Sequence, residues 1–403
     1  MSKKILIVSE LFYPEEFKIN EVALDWKNRG YEVDVLTMVP TYPVGEIYEG
    51  YENKWYQVEL WNGITIHRIR SVTGYKISLF KKILKYFAFM IMGSIASLKI
   101  GKKYDYIFGF QVGSLTAMVP AVVLKQFYKK PTILWIQDIW PDSVYAYGFK
   151  KTKIMEFCID RFVRYVYKYT TRFAISSKGF KEKIIPYLDN KKEILYAPNW
   201  SDELDKSLIP FEFNKDKKIH FTFTGNVGVV QNLENILEAW SRLDSSDLEK
   251  SQLNIIGDGS AINRLKNVVL EKKLENVIFW GRKPRVEIYK YLSASDFLIV
   301  SLIDNPIFAL TVPAKTQTYI AVEKPILAIL NGETANLIKE NNLGFVTSPN
   351  DIEEIKKIFK KSINLDEKQK EEFKQNSNFL TNTIFNKKLI IDSLIDSVIK
   401  EEK

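Results

Sequence analysis

Residues 219–243 read IHFTFTGNVGVVQNLENILEAWSRL. The stretch opens as a short apolar strand and turns at Gly225 and Gly228. It continues as a helix whose apolar residues fall at spacings of three and four. A strand that ends in glycine and feeds an amphipathic helix is half of a βαβ unit. The order then recurs. QLNIIGDG (252–259), NVIFWG (276–281), DFLIVSL (296–302), KPILAIL (324–330) and LGFVTSP (343–349) read as strands, with helical patterns between them. This predicts a parallel α/β domain.

Working toward the N-terminus, the polar segment 201–218 carries no apolar period and reads as a linker. Before it the same alternation runs through KKILIVSE (3–10), YEVDVLTMV (31–39), ITIHRIRS (64–71), YDYIFGF (104–110), PTILWIQDIW (131–140), TRFAISS (171–177) and KEILYAPNW (192–200). Helices are expected near 114–125 and 151–171, and the tail 384–400 is a further amphipathic helix. The expected fold class is therefore α/β. It has two Rossmann-like doubly wound domains, 1–200 and 201–383, facing across a cleft, and a C-terminal helix, 384–403, that packs back on the first domain.

The chain has 403 residues and a formal charge of +9, from 58 Lys and Arg against 49 Asp and Glu. Its single cysteine, Cys158, allows no internal disulfide and suits a reducing compartment. The N-terminal apolar run stops at Ser9-Glu10, too short for a signal peptide, so a cytoplasmic location is expected. A basic chain suits nucleic acid, an anionic membrane or a phosphate-rich ligand. The position of the charge decides among them. Residues 76–103, KISLFKKILKYFAFMIMGSIASLKIGKK, hold seven lysines and no acid around an uncharged core of 13 residues, 86–98. That core is shorter than the ~20 residues a spanning helix needs. It suits a helix lying in the interface of the cytoplasmic membrane, and it also suits a buried helix with a solvated basic end. Nucleic acid is the weakest reading.

Ligands of open α/β sheets bind at the C-terminal strand edge. In the second domain that edge carries Gly225-Asn226-Val227-Gly228, Gly257-Asp258-Gly259, Gly281-Arg282-Lys283-Pro284-Arg285, Asp304-Asn305-Pro306 and the segment FALTVPAKTQTYIAVEKPIL (308–327). Glycines admit an anion close to backbone amides. Thr311 is expected to cap a helix starting at Val312, with Pro313 in its first turn. Lys315 then sits near a helix start, where the dipole disfavours a cation unless an anion such as a diphosphate docks against both. In the first domain Glu10, Glu15 and Glu16 follow the first strand. Asp138 lies between Trp135 and Trp140, which suits a sugar-binding wall as well as an ordinary core. The only histidines, His67 and His220, fall inside strand patterns, so a histidine-based metal site or triad is not expected. Neither a phosphate loop of the G-x-x-x-x-G-K-S/T type nor a G-x-G-x-x-G after the first strand occurs.

In order along nearly the whole chain, FYPEEFKIN (12–20), GYEVDVLTMVPTYP (30–43), IQDIWPDS (136–143), APNWSD (197–202), FTGNVGVVQNLENILEA (223–239), IIGDG (255–259), WGRKPR (280–285) and the 308–327 segment resemble the retaining family-4 glycosyltransferases of GT-B fold. The branch most similar builds bacterial surface polysaccharide and includes the N-acetylfucosaminyltransferases of O-antigen synthesis. The resemblance implies a UDP-sugar donor, no obligatory metal or other cofactor, and a polyprenyl-diphosphate-linked saccharide acceptor at the inner membrane face. It implies that Lys315 and Asp138 serve catalysis. Gly225, Asn226, Gly228, Gly257, Arg282, Thr311, Lys315, Gln317 and Thr318 would hold the nucleotide sugar, and Glu15, Asn20, Asp138 and Trp140 the acceptor. The sequence also departs from that family. Leu310 and Thr318 stand where many members carry two glutamates, so Gln317 or Thr318 would replace the ribose contact. Asn226 and Gln231 stand where many carry an arginine and a lysine, and Gln137 replaces a histidine. A nucleotide-sugar 2-epimerase of the same fold and a non-catalytic sugar- or lipid-binding protein are the alternatives.

Overall fold

The computed structural model describes residues 2–75, 77–146, 151–188, 192–213 and 218–400. Lys76 at the head of the basic segment, 214–217 of the linker and 401–403 of the tail lie outside them. The chain divides into two compact units, Met1–Pro198 with Lys388–Lys403, and Asn199–Lys387.

The first unit is built on an eight-stranded sheet: β1 (Lys4–Ser9), β2 (Glu32–Met38), β3 (Tyr56–Trp61), β4 (Ile64–Ile69), β5 (Tyr106–Gln111), β6 (Thr132–Ile136), β7 (Arg172–Ile175) and β8 (Ile194–Tyr196). The spatial order is β3-β4-β2-β1-β5-β6-β7-β8. Pairing is parallel except between β3 and β4. Central strands such as ILIV in β1 and TILWI in β6 are buried along their length, as parallel strands covered on both faces must be. Strand β3 is absent from the sequence expectation. Its YQVELW alternates polar and apolar residues and its side chains are half-buried or exposed, as befits an antiparallel edge strand without a continuous apolar run.

Helix α1 (Lys18–Asn28) follows β1, and the sequence prediction near 114–125 resolves into a 3₁₀ turn, Leu115–Met118, followed by α3 (Val119–Tyr128). The helix Lys387–Ile399 joins this unit. Asp392 pairs with Arg29, the Ser397 carbonyl accepts from Arg172 Nη1 at 3.0 Å, and Lys400 meets Glu193 at 2.7 Å.

Helix α2 (Leu79–Ile100) is 22 residues, longer than the uncharged core of its segment. The segment Phe80–Lys103, which holds most of it, has an 18-residue window of mean hydropathy 1.5 and is long and apolar enough, by length and composition alone, to cross a membrane. Its inner face is packed on protein. A Cβ on Gly101 would meet Leu124 of α3 at 2.2 Å, and one on Gly93 would meet Pro120 at 2.9 Å. Near its start, Lys85 forms an ion pair with Glu10 at 3.0 Å, with the two residues 5% and 6% exposed, and lies 4.2 Å over the Tyr75 ring.

The second unit has a six-stranded, all-parallel sheet: β9 (Ile219–Thr224), β10 (Ser251–Ile256), β11 (Val277–Gly281), β12 (Phe297–Ser301), β13 (Ile326–Ile329) and β14 (Gly344–Thr347). The order β11-β10-β9-β12-β13-β14 reverses direction between β9 and β12. One core lies on each side. One cluster joins Phe221, Phe223, Trp240 and Phe359, and the other joins Leu298, Tyr319, Ile320 and Phe385. A further helix, Glu367–Asn382, is capped by Asp366, whose side chain accepts from the Gln369 amide.

The Glu10–Lys85 pair joins α2 to the end of β1 inside the first unit. Removing one partner of a buried pair leaves an uncompensated charge. Lys85→Met is therefore expected to lower stability in equilibrium urea unfolding by about 3–5 kcal/mol, while the Glu10→Leu/Lys85→Met double variant recovers most of the loss. A loss as small as that of exposed Lys102→Met would show that the pair carries no such weight.

Candidate functional site

In the second unit the site grows from two missing side chains. Gly225 ends β9 at φ +124° and Gly257 ends β10 at φ +142°. A Cβ on Gly257 would lie 1.8 Å from the Gly225 carbonyl oxygen, so only glycine lets these two turns touch. The turns then interlock through their backbones. Gly225 N donates to Ile256 O, Gly257 N to Gly281 O, Val227 N to Asp258 O and Ala261 N to Val227 O, each at 2.9 Å. On the other side of the sheet reversal, Ile303 N donates to Val230 O at 2.9 Å. The ends of β9, β10, β11 and β12 thus form one connected rim at the point where an open parallel sheet offers its crevice.

The helix Ala314–Val322 starts on this rim, with Pro313 as its N-cap residue. The expected start at Val312 with a Thr311 cap is corrected. The Thr311 hydroxyl donates to the Phe308 carbonyl at 3.0 Å, inside the preceding 3₁₀ turn, and proline's fixed φ sets the entry to the helix instead. The helix is docked by Tyr319, whose hydroxyl accepts from the Thr224 amide at 3.0 Å. One turn earlier, Lys315 reaches the same strand end. Its Nζ lies 3.8 Å from the Phe223 ring centroid and 3.0 Å from where a Gly225 Cβ would stand. The ammonium is buried and has no hydrogen-bond partner. Burial pulls its pKa from 10.5 down to about 7.

The remaining residues expected to hold the nucleotide divide into two groups. Gly225, Gly257 and Lys315 converge as described. Asn226 and Gly228 are joined by Gln231, whose Oε1 accepts from Gly228 N at 3.1 Å and from Asn226 Nδ2 at 3.4 Å. Arg282 is exposed on the turn after β11. Gln317, expected to hold the nucleotide sugar, is turned toward its own helix. It is 2% exposed, and in the amide orientation that satisfies both its oxygen and its nitrogen, the nitrogen donates to the Pro313 and Ala314 carbonyls at 2.9 and 3.0 Å. Thr318 is half-buried and donates to Ala314 O at 3.5 Å.

In the first unit the sheet reverses between β1 and β5. Gly113, at φ +72° beyond β5, gathers three side chains there. Its amide donates to Asp138 Oδ2, and its carbonyl accepts from Trp140 Nε1 at 2.9 Å and Gln111 Nε2 at 3.0 Å. Burial pushes the Asp138 carboxyl above the usual carboxylate range, with the Gly113 bond opposing it. Of the two readings of Trp135, sugar wall or core, the structure gives the core. It is fully buried, and its indole donates to the Ala197 carbonyl at 2.9 Å, because its place in β6 faces the core.

Glu15 is buried and accepts from the Thr41, Tyr42 and Phe12 amides at 2.8, 2.7 and 3.3 Å. Its carboxylate therefore fixes the loops after β1 and β2. Burial raises its pKa against those bonds. Asn20 donates to the Glu15 carbonyl at 2.7 Å, and its own oxygen is buried without a hydrogen-bond partner. Among the described residues no group of three or more His, Cys, Asp or Glu could hold a metal ion. Sequence reasoning did not single out Tyr319 as the docking group, nor Gln231 as the bridge. The K-x-x-x-Y run from Lys315 to Tyr319, with lysine and tyrosine four apart on one helix face, was the available signal.

Residues 205–378 match the family model described as Glycosyl transferases group 1. The chain is 29% identical over 230 residues to the probable glycosyltransferase WbjE of Pseudomonas aeruginosa, a match covering 54% of this chain and 56% of that protein. The matched region thus spans little more than half of that relative's length. It is 25% identical over 297 residues to WcaI of Escherichia coli K12, a putative colanic acid biosynthesis glycosyl transferase, covering 69% of this chain and 71% of that one. Among solved structures, Anabaena HepE in complex with UDP and glucose superposes with a TM-score of 0.64 at 12% identity, covering 98% of this chain and 99% of that one. The fold is GT-B, and the chain is similar to the glycosyltransferases WbjE and WcaI, with its second unit carrying the match to the Glycosyl transferases group 1 model.

The buried ammonium makes a signed prediction. Between pH 7 and 10.5 the unfolded chain holds a proton on Lys315 that the folded chain has lost, so this group lets stability rise with pH across that window. Below pH 7 the folded state carries the full burden of an unpaired buried charge. Lys315→Met is expected to stabilise the free protein by about 2–4 kcal/mol at pH 6 and by much less near pH 10, read by urea unfolding. A gain independent of pH would contradict the burial of a charge at this place.

Proposed function

We propose that the protein is a retaining glycosyltransferase that moves a sugar from a UDP-sugar to a polyprenyl-linked saccharide at the inner face of the cytoplasmic membrane. An N-acetylated amino or deoxyamino sugar is the donor group we favour. The single observation that carries the reading is the Lys315 ammonium, buried without a hydrogen-bond partner at the start of a helix and against the glycine turn after β9. A cation in that position is uncompensated until an anion arrives, and the helix start adds partial positive charge beside it. A diphosphate fits both. HepE, a protein of the same fold, is described with UDP and glucose bound, which supports a uridine nucleotide as the ligand.

In this mechanism the bond from the anomeric carbon to the diphosphate oxygen lengthens first. Charge grows on the leaving phosphate beside Lys315 and the first amides of its helix. Stabilisation of that kind is worth ~3–4 kcal/mol per donor group. The acceptor hydroxyl then attacks from the face the diphosphate leaves, and its proton passes to a leaving phosphate oxygen. Asp138 and Trp140, clamped on Gly113, are assigned to the acceptor's hydroxyls, and Glu15 and Asn20 shape the loops after β1 and β2 that we assign to the same acceptor. Arg282, exposed on its turn, is the second cation available to the nucleotide.

The acceptor's lipid gives α2 a role. Phe80, Leu84, Phe87, Ile91 and Ile95 are exposed along one stripe of this helix, at spacings of four, three, four and four, with Lys81, Lys99, Lys102 and Lys103 exposed near its ends. An apolar stripe with basic ends suits the interface of an anionic bilayer.

Two experiments test the reading. In the first, wild type is expected to gain thermal stability with UDP but not with GDP, ADP or dTDP, and Lys315→Ala is expected to lose the UDP gain. Because UDP binding needs the protonated lysine, wild-type affinity falls between pH 7 and 9 and takes up a proton, a slope missing in the variant. With donor and acceptor, Lys315→Ala should lower turnover by about 10²–10³-fold. No wild-type shift with any nucleotide would sink the donor assignment. In the second, wild type should co-sediment with phosphatidylglycerol vesicles less as salt rises, and Phe87→Glu/Ile91→Glu should stay in solution. Equal sedimentation of both would remove α2 as the membrane contact.

A further inference from the structure

The glycine turn after β9 contains one backbone donor that differs from its neighbours. The amides of Gly225, Val227 and Gly257 are committed to carbonyls of adjoining loops and hold the rim together. The Gly228 amide is instead taken by a side-chain oxygen, Oε1 of Gln231, at 3.1 Å. The same oxygen accepts from Asn226 Nδ2 at 3.4 Å. A carboxamide oxygen gathering two N–H donors at a glycine turn occupies the place an anionic oxygen would take. Gln231 lies in a 3₁₀ turn, Val229–Gln231, and is half-buried, so its side chain can rotate away without moving the interlocked backbone.

We propose that Gln231 is a latch. It fills the donor pair of Gly228 and Asn226 in the free protein, and it gives that pair up to a phosphate oxygen of the nucleotide when the ligand docks beside Lys315. This inference rests on the nucleotide-diphosphate reading above and deepens it. It makes Gln231 a positioning residue, since it acts by holding and releasing donors rather than by touching the reacting atoms. A glutamine suits the task because a neutral acceptor keeps the turn closed yet yields to a charged one. Hydrogen bonds to an ionised acceptor are roughly twice as strong as those between neutral groups.

Binding of UDP, uridine and inorganic pyrophosphate would be measured by calorimetry for wild type, Gln231→Ala and Gln231→Glu, together with the melting temperature of each free protein. In Gln231→Glu the carboxylate accepts the same donors more strongly and resists displacement. The free protein should melt higher, UDP and pyrophosphate should bind at least about tenfold more weakly, and uridine should bind as to wild type. In Gln231→Ala the latch is absent, so the free protein should melt lower while UDP binds at least as tightly as to wild type.

A Gln231→Ala protein that binds UDP more weakly than wild type would overturn the proposal, because the glutamine would then be holding the ligand. A Gln231→Glu protein that weakens UDP without melting higher would also overturn it, leaving plain charge repulsion. Parallel losses for uridine and UDP would reduce Gln231 to a general support of the loop. A wild type that binds UDP, with both variants matching it, sinks the latch alone. A wild type that binds neither UDP nor pyrophosphate sinks the nucleotide reading and the latch with it.

Discussion

The rim of the second sheet depends on the contact between Gly225 and Gly257. With any side chain at Gly257 the Gly225 carbonyl would be displaced, and the hydrogen bonds that tie the ends of β9, β10 and β11 would lose their register. The same closeness leaves the space into which Lys315 extends, since its Nζ lies 3.0 Å from the Cβ that Gly225 lacks. Two absent side chains therefore set both the shape of the loops and the position of the cation. Tyr319, bonded to the Thr224 amide one helical turn later, fixes the helix that delivers it.

The first unit solves its crowding with charge. Glu15 uses its carboxylate on three backbone amides, and Glu10 uses its own on Lys85. Both carboxylates stand just beyond β1, at the reversal of the sheet, so the loops there are held by buried ionic and charge-assisted bonds. Asp138 differs from Glu15 in keeping a single backbone amide partner, although burial raises the pKa of both. Glu15, buried and spent on backbone, governs where the loops stand more than what they touch.

Much of this architecture is legible in the chain. Runs such as ILIV and FLIV can only be covered parallel strands, and the recurrence of strand, glycine turn and amphipathic helix on both sides of a polar segment yields two α/β units. What escaped reading had weak periodicity. Strand β3 alternates exposed and half-buried residues because one of its faces is open to solvent. The helix Glu367–Asn382 buries just Phe373, Ser377 and Leu380, and its clearest mark is the Asp366 cap. In the site, Lys315 is legible because a lone cation among small polar residues conflicts with a helix start. The fates of Gln317 and Thr311 were not legible. Whether a polar side chain turns to ligand or to its own backbone depends on where the helix begins, and a shift of two residues from Val312 to Ala314 decides it.

That conflict at Lys315 is also the chemical argument. A protein that needed only a folded helix would place an apolar residue over Phe223, and the free fold would be more stable for it. Keeping a lysine there, with no hydrogen-bond partner and a pKa near 7, makes the free state poorer, and under the proposed function the docking anion is what offsets that cost. Preorganised charge in a water-poor setting acts most strongly where new charge develops, on the oxygen that a departing sugar leaves behind. A second fixed cation at the glycine turn would strengthen binding of the intact donor and of the released nucleotide alike, which lowers KM without raising turnover. In the proposed site the one buried cation is Lys315, while Gln231 at the glycine turn is neutral and Arg282 is exposed on the turn after β11. Under the latch proposal, the Gly228 amide returns to Gln231 Oε1 once the nucleotide leaves.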